Sequence, residues 1–277
     1  MFAGAHKHPS LRIHALQIKT SPMSAGIAPM PLPPPQQNRI LAALPANDLA
    51  RLAPHLQPLK LERGQTLCRA GDASSHLYFP LTLVAALMTF GRSGASTALA
   101  LIGSEGGIGL AEALAGERMP HDVVILMPGM AYRLPPEQAA WIFAPASTLL
   151  PAALSHSHSL MTQIAQTAFC NLHHPLDQRL CRWLLSIAYR LPARALQLTE
   201  AQIADVLGVR RESVSTATVQ LQEEGLIRHR RGMLEIIDRD SLEAKACECL
   251  PVFPWHPYPV KCSISTPDSF GGSHERH

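Results

Sequence analysis

The stretch that decides the fold runs from residue 198 to residue 237 and reads LTEAQIADVLGVRRESVSTATVQLQEEGLIRHRRGMLEII. Thr199 can cap the start of a helix, and Gln202 three residues later completes a capping box. Apolar residues then recur at helical spacing until Gly208, which ends this first helix. A second helix follows, and its apolar residues again recur at helical spacing and are expected to face inward: Val214, Ala217 and Leu221.

A hairpin is predicted directly after the second helix. Gly225 is a natural C-terminal cap for that helix. Two short apolar runs, 226–228 and 233–237, then flank a basic tip at 230–232. Two helices joined by a tight turn that contains glycine, with a hairpin behind them, make a winged helix-turn-helix. The sequence therefore predicts this motif over 198–237.

The second helix carries a polar face opposite its buried residues. At 100° per residue, Glu212 and Thr216 lie on this face, and Arg211 and Ser215 lie beside it. The N-terminal end of this helix is the end that enters the major groove of DNA in such motifs. The predicted DNA-binding residues of the helix and the wing are Arg210, Arg211, Glu212, Ser213, Ser215, Thr216, Gln220, Arg230 and Arg231.

The side-chain types on this face favour reading of bases. Arginine matches the paired acceptors of guanine, and a carboxylate matches the amino group of cytosine. Hydroxyl groups and the basic wing tip suit phosphates. The alternative is a packing module with a solvated Arg–Glu pair on its surface. Glu212 favours reading of bases, because a face that only follows phosphates gains nothing from a carboxylate.

The residues of this stretch resemble a known family. RESVS at 211–215, with LGV at 207–209 before it and GLI at 225–227 after it, is similar to the DNA-binding domain of the Crp/Fnr regulators. The resemblance covers residues 38–247 in layout and is most specific over the winged helix. It implies an N-terminal barrel like that of cyclic-nucleotide-binding proteins, a long dimer helix and a C-terminal winged helix.

The resemblance also implies which residues contact bases. Arg211 and Glu212 match an Arg-Glu pair of the family's recognition helix. Thr216 stands where the family carries a second arginine. The third base contact is therefore not carried over, and the operator sequence does not follow from the resemblance.

Residues 56–132 have a different pattern, with short apolar runs broken by Gly, Pro, Asp and Ser. Closely spaced short strands with such turns imply a sandwich or barrel. The fold class is therefore predicted as α+β: an N-terminal antiparallel β-barrel of the double-stranded β-helix type, a long dimerisation helix and a C-terminal winged helix-turn-helix. The predicted parts are a disordered tail at 1–37, a cyclic-nucleotide-binding-like sensor barrel at 38–145, the dimerisation helix at 146–174, the DNA-binding domain at 175–250 and a second disordered tail at 251–277.

The segment EGGIGLAE at 105–112 lies where the family carries its phosphate-binding loop. A glycine-rich turn that opens a short helix can bind phosphate through backbone N–H groups. Nucleotide binders of the family place a glutamate where this chain has Leu110, and a small hydroxyl residue follows their arginine. Here Met119 follows Arg118, and Asp122 would repel a phosphate. We therefore expect no cofactor, and neither cyclic AMP nor cyclic GMP as the effector.

The predicted dimerisation helix is free of glycine from residue 146 to residue 172. Pro151 fits only in a first turn, so the uninterrupted helix is expected to begin near Thr148. His156 and His158 cannot share one metal on one helix face, and both are expected to face solvent or an interface. Apolar residues at steps of three and four suit packing against a second copy: Leu150, Leu154, Met161, Ile164 or Ala165, Ala168 and Leu172.

Amino-acid composition excludes fewer classes of function than the motifs do. The 277 residues are 47% hydrophobic, which is typical of a globular protein, and the formal net charge is +3. Residues 198–239 hold six arginines against seven acidic residues, so attraction to phosphate must come from local placement of arginines. No segment approaches the ~20 apolar residues of a membrane span. We see no secretory signal and expect a cytoplasmic protein.

The motifs of the sequence argue against the common enzyme classes and against an iron–sulfur regulator. No Gly-x-Ser-x-Gly, Walker or His-Glu-x-x-His motif occurs, so we expect no enzyme. The six cysteines do not suggest disulfides, and no cysteine precedes Cys68, so the cluster of the family's iron–sulfur branch is absent. Cys68, Cys170 and Cys181 are expected to be small buried residues, and no metal ligands are assigned.

One alternative function stays open: a small-molecule, metal or redox sensor that acts through protein contacts rather than DNA. A metal or redox sensor of this kind would be built on Cys247 and Cys249. The predicted partners of the regulator are a double-stranded DNA operator with an inverted repeat, a second copy of the chain and RNA polymerase, with no membrane.

Overall fold

The computed structural model of the chain describes residues 32–73, 75–139, 149–191 and 195–250. The two predicted tails, 1–37 and 251–277, fall outside this part except for residues 32–37. There the structure differs from a disordered tail, because Pro35–Gln37 form a 3-10 helix. The hydroxyl of Tyr132 also donates a hydrogen bond to the carbonyl oxygen of Pro33. These residues therefore pack on the barrel.

Two short helices, α1 (Arg39–Ala42) and α2 (Ala46–Leu52), lead into a barrel of seven strands. The strands are β1 (Gln57–Leu61), β2 (Thr66–Cys68), β3 (Leu77–Pro80), β4 (Val84–Phe90), β5 (Ser96–Ile102), β6 (Asp122–Met127) and β7 (Gly129–Leu134), with α3 (Leu110–Ala115) between β5 and β6 and α4 (Pro136–Ala139) after β7. One antiparallel sheet has the order β1-β7-β3 and the other β2-β6-β4-β5. Buried side chains from both sheets form one core between them, including Leu61, Tyr78, Ala85, Ile102, Val123 and Ala131.

The long helix α5 spans Leu149–His173 and is about 37 Å long at 1.5 Å per residue. Pro151 lies in its first turn, as predicted. One face packs on the barrel, where Leu160 and Ile164 contact its core. The opposite face is exposed, with Leu154 at 56%, Met161 at 69% and Leu172 at 81% of their free surface. Of the two candidates at 164 and 165, Ala165 is therefore the one on the exposed face.

The winged helix domain begins after Pro175 and is built from seven elements. They are α6 (Leu176–Ala188), β8 (Ala195–Gln197), α7 (Glu200–Leu207), α8 (Arg211–Glu223), β9 (Ile227–Arg230), β10 (Met233–Ile236) and α9 (Arg239–Lys245). The sheet has the order β8-β10-β9, so the predicted hairpin gains a third strand that the sequence did not indicate. None of the helices in the described ranges has both the length and the apolar character that crossing a membrane requires.

Barrel and winged helix share a continuous apolar core. Met88, Ala98 and Leu101 of β4 and β5 belong to the same buried cluster as Leu184 of α6 and Leu207 of α7. Polar contacts border this core: Ser96 Oγ donates to the carbonyl of Asp205 at 3.0 Å, and Thr97 Oγ1 to that of Val206 at 3.3 Å. The first helix of the helix-turn-helix is therefore held directly against the barrel.

Candidate nucleic-acid interface

The turn between α7 and α8 sets the direction of the recognition helix. Thr199 and Gln202 form the predicted capping box at the start of α7. Gly208 ends α7 in the left-handed region, with φ 67°, which a residue with a side chain rarely adopts. Arg210 is extended at the N-cap of α8, so the chain turns within two residues. The first turn of α8 is thereby presented at the surface.

The outer face of α8 holds the predicted site residues. Val214, Ala217 and Leu221 are buried, as predicted. Ser215 is half-buried at the margin of the outer face. The remaining candidates on this helix and its N-cap are exposed: Arg210, Arg211, Glu212, Ser213, Thr216 and Gln220. The structure therefore brings these candidates onto one surface.

Some of these groups already have partners in the protein. Arg211 Nε lies 3.5 Å from Glu200 Oε2 of α7, an ion pair that the sequence analysis missed. The Thr216 hydroxyl donates to the carbonyl of Glu212 at 3.1 Å, one turn earlier. Gln220 Nε2 donates to Glu224 at 3.0 Å. Glu212 forms no ion pair within the described residues, so its carboxylate is free to accept a hydrogen bond from outside.

The wing presents two arginines at its tip. Strands β9 and β10 pair from Ile227↔Ile236 to Arg230↔Met233, which leaves Arg231 and Gly232 as a two-residue turn. Both have positive φ, 50° and 76°, as a type I′ turn requires. Arg230 and Arg231 are exposed and form no ion pair with any residue that the structure describes. The wing tip is therefore a local positive site.

Ion pairs explain how a segment with more acids than arginines can still offer positive charge. Glu235 pairs with Arg228 on the wing, and Glu224 pairs with Lys245 of α9 at 2.6 Å. Asp238 caps α9 by accepting from the backbone N–H of Ser241. Several acidic groups are thus engaged away from the wing tip.

The glycine-rich loop at 105–112 is engaged inside the protein. The N–H of Gly106 donates to the carbonyl of Gly103 at 3.1 Å, and the N–H of Ile108 to that of Tyr78 at 2.8 Å. His156 Nε2 donates to the carbonyl oxygen of Gly107 at 2.8 Å. Two of the amides that a phosphate would use, those of Gly106 and Ile108, therefore have partners already.

His156 corrects a prediction, because it faces neither solvent nor an interface but is 8% exposed against this loop. A Cβ at Gly106 would lie 2.2 Å from its Cε1 atom, so only glycine allows this approach. Burial lowers the pKa of His156, which favours the neutral ring. His158, by contrast, is exposed as predicted.

A buried ion pair fixes the other end of the loop. Arg190 Nε at the end of α6 donates to Glu105 Oε1 at 2.6 Å, and their side chains are 1% and 16% exposed. Burial alone would raise the pKa of Glu105, but the charge of Arg190 and hydrogen bonds from backbone N–H groups bring it below its ordinary value. The loop is thus tied to the winged helix domain.

Arg118 and Asp122 are engaged with the turn at Gly71 rather than with the glycine-rich loop. Arg118 Nη1 donates to the carbonyl of Gly71 at 2.9 Å, and Asp122 Oδ1 accepts from the N–H of Ala70 at 2.8 Å. Leu110, in the position of the family's glutamate, is 1% exposed.

Cysteines fall into two groups in the structure. Cys68 and Cys181 are buried, and burial raises the pKa of each thiol, which fits the predicted small apolar role. Cys170 instead lies beside Cys247 and Cys249, with His174 completing a set of four. The sequence predicted Cys170 only as a small buried residue, and it did not indicate His174 as a member of this group.

Comparison with known proteins agrees with this arrangement. The sequence model of the cyclic nucleotide-binding domain matches residues 58–145, and that of the Crp-like helix-turn-helix domain matches residues 178–245. A comparison with curated protein sequences gives no match.

Solved structures show the same fold at low sequence identity. The CRP-family regulator TTHB099 of Thermus thermophilus is 22% identical with a TM-score of 0.58, over 68% of this chain and 96% of that one. The c-di-GMP-responsive regulator CLP of Xanthomonas campestris is 16% identical with a TM-score of 0.58, over 70% and 100%. FixK2 from Bradyrhizobium japonicum is 14% identical with a TM-score of 0.60, over 69% and 97%.

A barrel that matches the cyclic nucleotide-binding domain model, a long helix and a Crp-like winged helix follow one another in this chain. Since the two domain models together match more than half of it, the chain belongs to the Crp/Fnr family of transcriptional regulators.

Proposed function

We propose that the protein is a homodimer that binds an inverted-repeat operator, with α8 in the major groove and the wing on the phosphate backbone. The observation that carries this proposal is the outer face of α8, where Arg211 and Glu212 stand exposed in its first turn. In such motifs the first turn of the recognition helix reaches base edges. The unpaired Arg230 and Arg231 lie on the wing, where phosphate contacts position a winged helix.

Arg211 would have to exchange its partner on binding. Its ion pair with Glu200 is 3.5 Å long and its side chain is 69% exposed, so the pair contributes at most about 1 kcal/mol. A bidentate contact to guanine is worth ~1–3 kcal/mol of discrimination. Replacing the ion pair with a guanine contact is therefore favourable. In the absence of DNA, Glu200 holds the guanidinium of Arg211 beside the end of α8 that would face the groove.

In-vitro selection of bound DNA from a random library tests the reading of bases. Glu212→Ala should relax the preference at one base pair in each half-site, with a loss of ~1–3 kcal/mol there. Glu223→Ala is the matched control, because it removes the same charge from the exposed C-terminal end of the same helix. An unchanged selected motif with Glu212→Ala would refute base reading by this residue.

The wing is tested by the salt dependence of binding. Arg230→Gln and Arg231→Asn should weaken binding to all sequences alike and reduce the salt slope by about 1 per lost phosphate contact. Asparagine is chosen at 231 because it accepts the positive φ of the type I′ turn, so the hairpin is preserved. A change in the selected motif, rather than in overall affinity, would contradict a phosphate role.

The dimer is proposed to form along the exposed face of α5. At 100° per residue, its apolar side chains fall within an arc of about 60°: Leu154, Met161, Ala165, Ala168 and Leu172. A second copy is the occupant that fits, because twofold pairing of such a stripe buries it on both chains and sets two half-sites about one helical turn apart.

Sedimentation and operator titration test the dimer together. Met161→Glu with Ala165→Glu should give monomers and abolish tight binding to an inverted repeat. Ser155→Glu is the control, since Ser155 is exposed on the same helix but about 120° from Met161. Wild-type protein that sediments as a monomer at micromolar concentration and still binds the repeat tightly would refute the proposal.

We also propose that cyclic AMP and cyclic GMP are not the effectors. Leu110 leaves a ribose hydroxyl without an acceptor, a penalty of ~1–3 kcal/mol, and the amides of Gly106 and Ile108 are engaged inside the protein. Isothermal titration with each nucleotide should give no saturable heat in the low micromolar range. One-to-one binding in that range, accompanied by tighter operator binding, would overturn this part.

A further inference from the structure

Four side chains with metal-binding atoms converge at the junction of the long helix and the winged helix domain. Cys170 and His174 stand one turn apart at the end of α5. Cys247 and Cys249 lie in the turn after α9, which is closed by a hydrogen bond from the N–H of Leu250 to the carbonyl of Cys247. The four ligand atoms all lie within 4.8 Å of one another.

The distances suit one tetrahedral ion. Zinc–sulfur bonds of about 2.3 Å and zinc–nitrogen bonds of about 2.0–2.1 Å place tetrahedral ligand atoms about 3.5–3.8 Å apart. Cys170 Sγ lies 3.9 Å from Cys247 Sγ, and Cys249 Sγ lies 3.8 Å from His174 Nδ1. Small side-chain rotations are enough to bring the remaining pairs into range. An iron–sulfur cluster spreads its four ligands over two or more irons, which needs a wider spacing than four atoms within 4.8 Å of one another.

The histidine is oriented as metal-bound histidines usually are. His174 Nε2 lies 3.1 Å from Glu248 Oε1, which leaves Nδ1 directed at the sulfur of Cys249. A carboxylate on the far ring nitrogen fixes the tautomer and makes the near nitrogen a better ligand. Glu248 stands between the two cysteines in sequence, so one short segment supplies two ligands and the group that orients a third.

Burial and charge also fit an ion rather than simple packing. The residues Cys170, Cys247 and Cys249 are 0%, 2% and 3% exposed and form a buried cluster of their own. Apolar packing does not require three sulfurs and a ring nitrogen to point at one place. The guanidinium of Arg182 is close enough to Cys170 and Cys247 to interact electrostatically with both. Three thiolates around a divalent ion carry one net negative charge, which this cation offsets.

We propose that Cys170, His174, Cys247 and Cys249 bind a single Zn²⁺ ion, which fastens the segment after α9 to the end of the dimer helix. Thiolate and imidazole together are ligands that zinc prefers, and a closed four-ligand set with no open position is typical of a structural site. The ion would link residues 77 apart in sequence across the junction of the long helix and the winged helix domain.

The test uses the full chain without an affinity tag, purified without chelator. Zinc is measured by plasma mass spectrometry, and Co²⁺ is then exchanged into the protein and its absorption recorded. The proposal expects one zinc ion per chain, with the strong visible bands of tetrahedral Co²⁺ and thiolate charge-transfer bands. Cys247→Ser and Cys249→Ser should each lose the ion and these bands. Cys181→Ala and Cys262→Ser are matched controls and should keep both.

Mapping of alkylated cysteines in the wild-type protein tests the same proposal without relying on a variant that could fail to fold. In the wild-type protein, iodoacetamide should modify Cys170, Cys247 and Cys249 only after a chelator has been added, while Cys181 stays unmodified in both cases. Zinc retained by Cys247→Ser, an octahedral Co²⁺ spectrum, or metal-free protein with a Cys170–Cys247 disulfide would each overturn the proposal. Because no step uses DNA, this proposal and the proposed operator binding fail separately.

Discussion

Glu105→Ala should destabilise the protein far more than loss of an ordinary surface glutamate. The substitution leaves the guanidinium of Arg190, 1% exposed, without its charged partner. Breaking a buried pair from one side costs roughly 3–5 kcal/mol. Arg190 keeps hydrogen bonds to the carbonyls of Ser186 and Leu101, at 2.8 and 3.1 Å, so we expect the lower end, about 3 kcal/mol. At ~2–4 °C per kcal/mol, the melting temperature should fall by roughly 6–12 °C.

Thermal unfolding followed by circular dichroism measures this effect. Glu62→Ala is the matched control, since Glu62 pairs with Lys60 while both side chains are about two-thirds exposed, at 67% and 72%. That variant should lose less than about 1 kcal/mol. If Glu105→Ala melted within about 2 °C of the wild type, the buried pair would contribute no net stability and the reasoning would be wrong.

The pH dependence gives the same pair a second test. Because the pKa of Glu105 is lowered on folding, its contribution is complete above the ordinary value of 4.5 and is lost as the pH falls through the folded-state pKa. Glu105→Gln removes the titrating group. The difference in melting temperature between wild type and Glu105→Gln should therefore be largest above pH 4.5 and shrink on further acidification.

Further predictions concern the N-cap of α7, the contact between Gly106 and His156, and the proposed zinc site. Thr199→Ala should cost about 1 kcal/mol of unfolding free energy, and Thr199→Asp should restore most of it. Gly106→Ala should cost ~1–3 kcal/mol because its Cβ meets the ring of His156. The double variant with His156→Ala should be less destabilised than the sum of the two single variants, as unfolding in urea would show. Chelation of zinc should lower the melting temperature reversibly, by an amount equivalent to roughly 4 kcal/mol when free zinc had exceeded its Kd a thousandfold.

Features set by neighbouring residues were predictable from the sequence. The capping box at Thr199, the helix end at Gly208 and the apolar stripe of α8 all depend on residues within a few positions of one another. The strand runs of the barrel were predictable for the same reason. Strand β8 was not, because three residues, Ala195–Gln197, are too few to show a period.

Contacts between residues far apart in the sequence could not be predicted. His156 meets Gly107 across 49 positions, and Arg190 meets Glu105 across 85. No spacing rule links such pairs, because the folded barrel and not the local chain brings them together. For the proposed zinc site one local signal existed. Cys170 and His174 are four residues apart across the C-terminal end of α5, a spacing that puts two kinds of metal ligand on the same side.

The apolar core that the barrel shares with the winged helix domain limits how the winged helix domain could be fused to a different barrel. Leu207 of α7 packs into the cluster that Ala98 and Leu101 of β5 complete, and Gly208 lies against the side chain of Thr97. A chimaera joined between α5 and α6 would place the barrel-facing side chains of α6 and α7 against an unrelated sheet. The two surfaces would not match in shape, so voids or clashes would form where they meet. Transfer of α6 to α9 with their packing intact therefore requires that the side chains of the β4–β5 hairpin that contact them are transferred as well.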